Sequence, residues 1–422
     1  MSDSLSTESF PLWTMAPFPA LVLAIAVLPI ALPRLWERRG LQVLTVGLCA
    51  LPVLGFFAVH ARYADLREAG TSYASFVVTL GALYVTSGGI MLTGDMEAKP
   101  ATNVALVLLG AVLASVVGTT GASMLLIRPL LSTNRQREHK AHLVPFFIVA
   151  VANAGGLLTP LGDPPLLVGY IGGVPFFWTL RLFPAWLLYV GTSCLALYFI
   201  DRRAYGRESD AALARDRSER SPIRVRGKRS ILLLLAIVPA ALLPPGYREV
   251  ALVAIGATAY ASTPRSLHQA NGFTFAPIAD VAIIFAGLFA CLGPIQAALV
   301  SAAPSLPLHR GWELFWASGL LSSVLDNAPT YTAFAALARG VSAGAPSLVA
   351  GVAPWKLAAV SVGSVVMGAT TYIGNGPNLM VKAIAERENF PTPGFFRYAL
   401  FALAVMAPAH AIVTTVFALA DR

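Results

Sequence analysis

Apolar runs bounded by short polar stretches recur along nearly the whole chain, near 17–33, 41–60, 74–93, 103–127, 143–173, 177–200, 230–243, 248–263, 278–299, 312–338, 355–385 and 396–420. About 20 apolar residues suffice to cross the hydrocarbon core of a bilayer as a helix. Backbone in lipid must satisfy its own hydrogen bonds, so helix is the predicted element throughout. The pattern therefore predicts an all-α polytopic membrane protein and leaves no room for a large soluble domain. Residues 17–33 read as a retained first span rather than a cleaved leader, because Asp3 and Glu8 precede them and no basic residue does.

Four polar, Gly/Pro-broken knots interrupt this pattern, and they come in pairs. Thr159-Pro160-Leu161-Gly162-Asp163-Pro164-Pro165 is echoed by Thr371-Tyr372-Ile373-Gly374-Asn375-Gly376-Pro377, an offset of 212 (371 − 159). Ser115 to Gly121 is echoed by Ser323 to Pro329, an offset of 208 (323 − 115). Paired interruptions at corresponding places in two halves point to the binding site of a secondary transporter. Non-helical backbone at membrane depth is tolerated where it is buried in protein or lines a wet cavity. Proline at 160, 164, 165 and 377 removes backbone donors and forbids continuous helix there.

Composition and charge fix the frame. The chain is 56% hydrophobic and only 12% charged, with a net charge of +9. Its basic residues lie in short loops between spans, where they mark the cytoplasmic side rather than a nucleic-acid surface. The longest polar stretch, 201–229, carries ten Lys and Arg residues and is expected to be a cytoplasmic, largely disordered linker between two halves, 1–200 and 230–422. Counting sides outward from it, basic segments 34–39 and 128–142 also read as cytoplasmic, which conflicts with a crossing at 103–127 unless that segment simply spans with a few arginines on the wrong side. The count is satisfied if 103–127 is a re-entrant hairpin turning at Gly118-Thr119-Thr120-Gly121, with 312–338 its counterpart turning near Asp326-Asn327-Ala328-Pro329. The expected architecture is two inverted repeats, each of five spans plus one hairpin, with broken helices at 143–173 and 355–385. The N-terminus falls outside, in a bacterial inner membrane.

Asp163 and Asp326 carry the candidate chemistry. A carboxylate inside an apolar segment is costly to insert and normally faces a polar interior with a function. Neutral oxygen donors accompany each: Asn153, Thr159, Thr119, Thr120 and Ser123 for Asp163; Ser322, Ser323, Asn327, Thr330 and Thr371 for Asp326. Hard cations such as Na⁺ take oxygen ligands, and a buried carboxylate can hold a proton instead. A group that holds either is the minimal chemistry of an exchanger. Asp163 is also placed to cap the following half-helix. There is no phosphate-binding loop, zinc spacing or nucleophile elbow, so no enzyme and no cofactor beyond coupling Na⁺ or H⁺ is expected.

At these motifs the chain resembles the ion-transporter superfamily of NhaD-type sodium/proton antiporters, arsenite permeases and citrate or dicarboxylate carriers. It looks most like the bacterial citrate-transporter or sodium/proton-antiporter branch. The resemblance rests on Gly118 to Ser123, Asn153 to Pro165, Ser322 to Tyr331 and Gly374 to Asn378. It implies a homodimer with an elevator-like transport domain in each protomer, and two sodium sites flanking a substrate site. Thr119, Thr120, Asn153, Thr159 and Asp163 would form one site; Asp326, Asn327, Thr330, Thr371 and Asn375 the other. The hairpin tips depart from the Ser-Asn-Thr triplets of dicarboxylate carriers, and Asp326 would repel an anion unless neutralised. The expected function is thus sodium (lithium)/proton antiport, with sodium- or proton-coupled citrate or dicarboxylate symport as the alternative. A passive channel or non-transporting membrane protein comes third.

Overall fold

The computed structural model describes residues 10–36 and 38–421; Asp3, Glu8 and the side of the N-terminus lie outside these. The helices are α1 (Pro17–Ala31), α2 (Pro33–Trp36), α3 (Arg39–Val59), α4 (Tyr63–Gly88), α5 (Pro100–Val117), α6 (Thr119–Thr133), α7 (Leu143–Ala150), α8 (Pro164–Ile171), α9 (Phe183–Tyr205) and α10 (Asp210–Ser218). They continue as α11 (Lys228–Ala241), α12 (Tyr247–Ser262), α13 (Arg265–Asn271), α14 (Ala276–Ala302), α15 (Gly311–Ser322), α16 (Asn327–Gly340), α17 (Pro354–Val366), α18 (Gly376–Arg387) and α19 (Phe395–Ala420). Six helical stretches among the described residues are long and apolar enough to cross a membrane. Outward-facing Leu44, Leu48, Leu51, Leu232, Leu235, Phe396 and Leu400 are exposed. So much exposed apolar side chain is a liability in water and the natural face to present to lipid. The protein is an all-α polytopic membrane protein.

α5 is long and apolar enough to cross a bilayer, and α6 turns back along it. Gly118, at φ +82, separates α5 from α6 in a conformation that L side chains rarely adopt. Gly110 and Leu126, eight residues to either side of it, are in contact. At the open end Asn103 and Asn134 exchange side-chain amide hydrogen bonds of 3.0 and 2.7 Å. Both ends of the α5–α6 pair therefore lie together, and α15 and α16 likewise pack on each other around Asp326.

The helix interruptions share one construction. A 3-10 turn, Ala154–Leu158 or Met367–Thr370, leads to an extended threonine, Thr159 or Thr371. Each threonine hydroxyl donates to a carbonyl of the neighbouring hairpin, Thr159 to Ser115 and Thr371 to Ser323. Each then accepts from the backbone N–H two residues on, Leu161 at 3.2 Å and Ile373 at 3.3 Å. The loops close on paired glycines: a Cβ at Gly162 would sit 2.8 Å from the carbonyl carbon of Gly156, and one at Gly374 only 2.6 Å from the Gly368 oxygen. Asp163 and Asn375 occupy equivalent positions preceding α8 and α18, with φ −149° and −153°.

Two bundles result. α1, α3, α4 and α14 pack together around Phe76 and Phe285, whose rings stack at 4.3 Å, and α11 and α12 pack against α4. Such a ring pair contributes about 0.5–1.5 kcal/mol beyond its burial. The hairpins, interrupted helices, α9 and α19 form the other bundle. Within it Tyr189 of α9 and His410 of α19 share a 2.7 Å hydrogen bond. The bundles meet where Leu167, Val168 and Ala328 enter the aromatic core of the first.

The polar stretch 201–229 is not the disordered linker that its charge suggests. Residues 210–218 are helical, and β2 (Ser221–Arg226) pairs antiparallel with β1 (Met91–Asp95) in a two-stranded sheet. Asp201 and Arg137 are fully buried in a side-chain ion pair of 2.5 Å, which also takes in His142 (3.0 Å) and Asn103 (2.8 Å). Opposite charges and a non-local strand partner hold ordered what composition alone leaves loose.

Candidate functional site

Asp163 is the centre on which the four knots converge. It precedes α8, whose first two residues are prolines without N–H groups, and its side chain caps nothing. Its carboxylate turns instead to three side chains from three other elements. Oδ1 accepts from Thr119 Oγ1 at 2.8 Å and from Asn375 Nδ2 at 3.4 Å; Oδ2 accepts from Asn327 Nδ2 at 2.5 Å. Thr119 and Asn327 are the opening residues of α6 and α16, the second arms of the two hairpins. Asp163 itself is only 2% exposed.

A second tier of amides holds this cluster. Asn153 Nδ2 donates to Asn378 Oδ1 at 2.8 Å and to the Ile148 carbonyl at 2.9 Å. Asn378 Nδ2 donates to the carbonyls of Gly368 and Thr371, each at 2.9 Å. Asn375 also reaches the Ala152 carbonyl at 3.0 Å and Asn153 Oδ1 at 3.2 Å. Carbonyls left open by the interrupted helices are thus satisfied by asparagine side chains from both halves, as buried backbone requires.

Of the remaining residues singled out from sequence, Thr159, Thr371, Thr330 and Ser323 bond to backbone carbonyls and brace the knots. Ser123 Oγ and Asn327 Oδ1 are buried oxygens with no hydrogen-bond partner among the described residues. Thr120 and Asp326 line a cavity of about 340 Å³ that also reaches Thr119, Gly162 and Asn375. The two residue groups that the resemblance keeps apart meet here, since Asn327 and Asn375 both bond to Asp163. Asp326 stands apart from that network and, among the described residues, is the one charged side chain lining the cavity.

The opposite wall comes from the other bundle: Leu83, Tyr84 and Ser87 of α4, and Ile278, Val281 and Phe285 of α14. These were not legible in sequence, because they lie in ordinary apolar spans with no break or buried charge. The α6 and α18 N-termini open onto the cavity from the polar side. The site thus combines carboxylates with hydroxyl and amide oxygens on one face and a mostly apolar wall on the other.

Against known proteins, a family model described as "putative citrate transport" matches residues 7–418. The chain belongs to this family. The match covers both hairpins, both interruptions and every element lining the cavity, so membership applies to the whole transmembrane body. No curated protein matches the chain. Membership makes it a membrane transporter of small solutes.

Proposed function

We propose that the protein is a secondary active, ion-coupled transporter in which Asp163 and Asp326 exchange Na⁺ (or Li⁺) for H⁺, working by alternating access. The observation that carries this reading is Asp163, buried at the meeting point of both hairpins and both interrupted helices. Among the described residues, no cationic side chain reaches it or the cavity beside it. A buried carboxylate without a basic partner needs a proton or a metal cation to offset its desolvation. Asn and Thr oxygens around it, together with the unpartnered Asn327 Oδ1 and Ser123 Oγ, are hard ligands of the type Na⁺ takes. Recurrence of the same knots in two halves supports the inverted-repeat arrangement. The bundle that holds Asp163 would move against the α4 and α14 wall. We further propose a homodimer in a bacterial inner membrane with 201–229 cytoplasmic.

A second reading, cation-coupled uptake of citrate or a related carboxylate, is favoured by the family description and by the 340 Å³ cavity, larger than a bare ion needs. Helix N-termini at α6 and α18 would favour its carboxylates once Asp326 is neutralised. Proteoliposomes loaded with a pH dye separate the two readings. Exchange predicts collapse of an imposed pH gradient on adding Na⁺ or Li⁺, lost by at least tenfold in Asp163→Asn. Labelled citrate uptake driven by Na⁺ or H⁺, without such collapse, establishes the second reading; neither activity overturns both.

A further inference from the structure

A second cavity, of about 270 Å³, lies far from Asp163 along the chain, at the head of α11. It forms where β2 ends and α11 begins. Gly227, left-handed at φ +90, turns the chain there, so that Arg226 before it and Lys228 and Arg229 after it border one space. The three side chains are exposed, and none forms an ion pair or donates a hydrogen bond within the described residues. The far wall is Ser262, Thr263 and Ser266, where α12 gives way to α13. That wall is braced: Asn271 at the end of α13 donates 2.8 Å hydrogen bonds to the carbonyls of both Gly88 and Ile90.

We infer that this cavity binds a phosphate-bearing anion, held by Arg226, Lys228 and Arg229. Three cations around one space give it a positive potential that favours an anion, and arginine in particular suits the oxygens of a phosphate. The Ser266 hydroxyl adds a neutral donor. The N–H groups at the start of α11 contribute in the same sense. Exposed Leu232 and Leu235 follow within two turns on the same helix. The cavity therefore sits at the level where a lipid-facing surface gives way to a polar one, and basic pockets at that level accept anionic headgroups. The phosphate comes either from such a headgroup or from solution. This site is independent of the ion reading at Asp163.

The test uses the full chain in phosphatidylcholine nanodiscs, with and without phosphatidylglycerol, and separately titrated with inorganic phosphate. Thermal unfolding is the readout. Wild type should be stabilised by one or both additions: by phosphatidylglycerol for a headgroup, by inorganic phosphate in neutral discs for a soluble anion. The variant R226Q/K228Q/R229Q should lose about a hundredfold in apparent affinity, at roughly fivefold per charge. The control R202Q/R203Q/R207Q removes equal charge at positions outside the cavity and should keep its response. Should the triple variant fail to insert, Lys228→Gln alone should show the fivefold loss. No response of wild type to either addition, or equal losses in variant and control, overturns the proposal.

Discussion

At the scale of the residue, what distinguishes Asp163 is that all hydrogen-bond partners of its carboxylate are neutral donors from other elements. Its counterpart in the second half is Asn375, whose amide lies 3.4 Å from Asp163 Oδ1. Asn375→Asp would place a second carboxylate at that distance. Two like charges in one buried site cannot both ionise without a counterion. The substitution should lower stability by about 3 kcal/mol at alkaline pH without Na⁺, the order of an unmatched buried charge. Lowering the pH or adding Na⁺ should restore it, and unfolding temperatures measured across pH and salt check this. Sequence identified Asp163 and its polar neighbours because a carboxylate in an apolar run is conspicuous. It did not reveal which amide faces which oxygen: Asn327 and Asn375 lie 164 and 212 positions away from it.

At the scale of the element, each interruption depends on close backbone approach. A Cβ at Gly162 would sit 2.8 Å from Gly156 C, and one at Gly374 would sit 2.7 Å from the Ser322 oxygen, so alanine at either position must push backbone aside. Each substitution should cost about 1–3 kcal/mol. Gly376, two residues on in the same motif, has no neighbouring atom within 4 Å of where a Cβ would stand, and Gly376→Ala should be close to neutral. Thermal melts of the three variants in detergent decide whether space or composition makes the motif. The interruptions were legible because proline and glycine leave no alternative, and the turn between α5 and α6 was legible in Gly118. The β1–β2 pairing was not. β1 begins within the tail of an apolar run and β2 within a charged one, and strand pairing across more than a hundred residues leaves no local signal.

At the scale of the whole molecule, Arg137 and Asp201 lock the open end of the α5–α6 pair to the end of α9. Arg137→Ala takes the guanidinium from two buried carboxylates, Asp201 and Glu208, at a cost of about 3–5 kcal/mol; Asp201→Ala leaves Arg137 paired with Glu208 at 3.2 Å and should cost less, and the double change to alanine should cost less than the two single ones together. A double-mutant cycle by thermal unfolding measures the coupling. Glu208 joins the same lock. Burial alone would raise its carboxyl, but N–H donors of Glu138 and His139 and the Arg137 guanidinium outweigh this and hold it below the ordinary range. Its contribution is therefore present above the ordinary glutamate range and is lost as the pH falls through its lowered value.

The strand pair has a mechanical corollary. β1 leads from α4 into α5, and β2 leads from α10 into α11, so each is a crossing between the two bundles. Laced together, these two cords form a single ribbon. Were one bundle to slide past the other, neither cord could lengthen on its own. The travel would be taken up by swivelling at the ribbon's glycine ends, Gly89 and Gly227, which lie against each other at one corner of the protein.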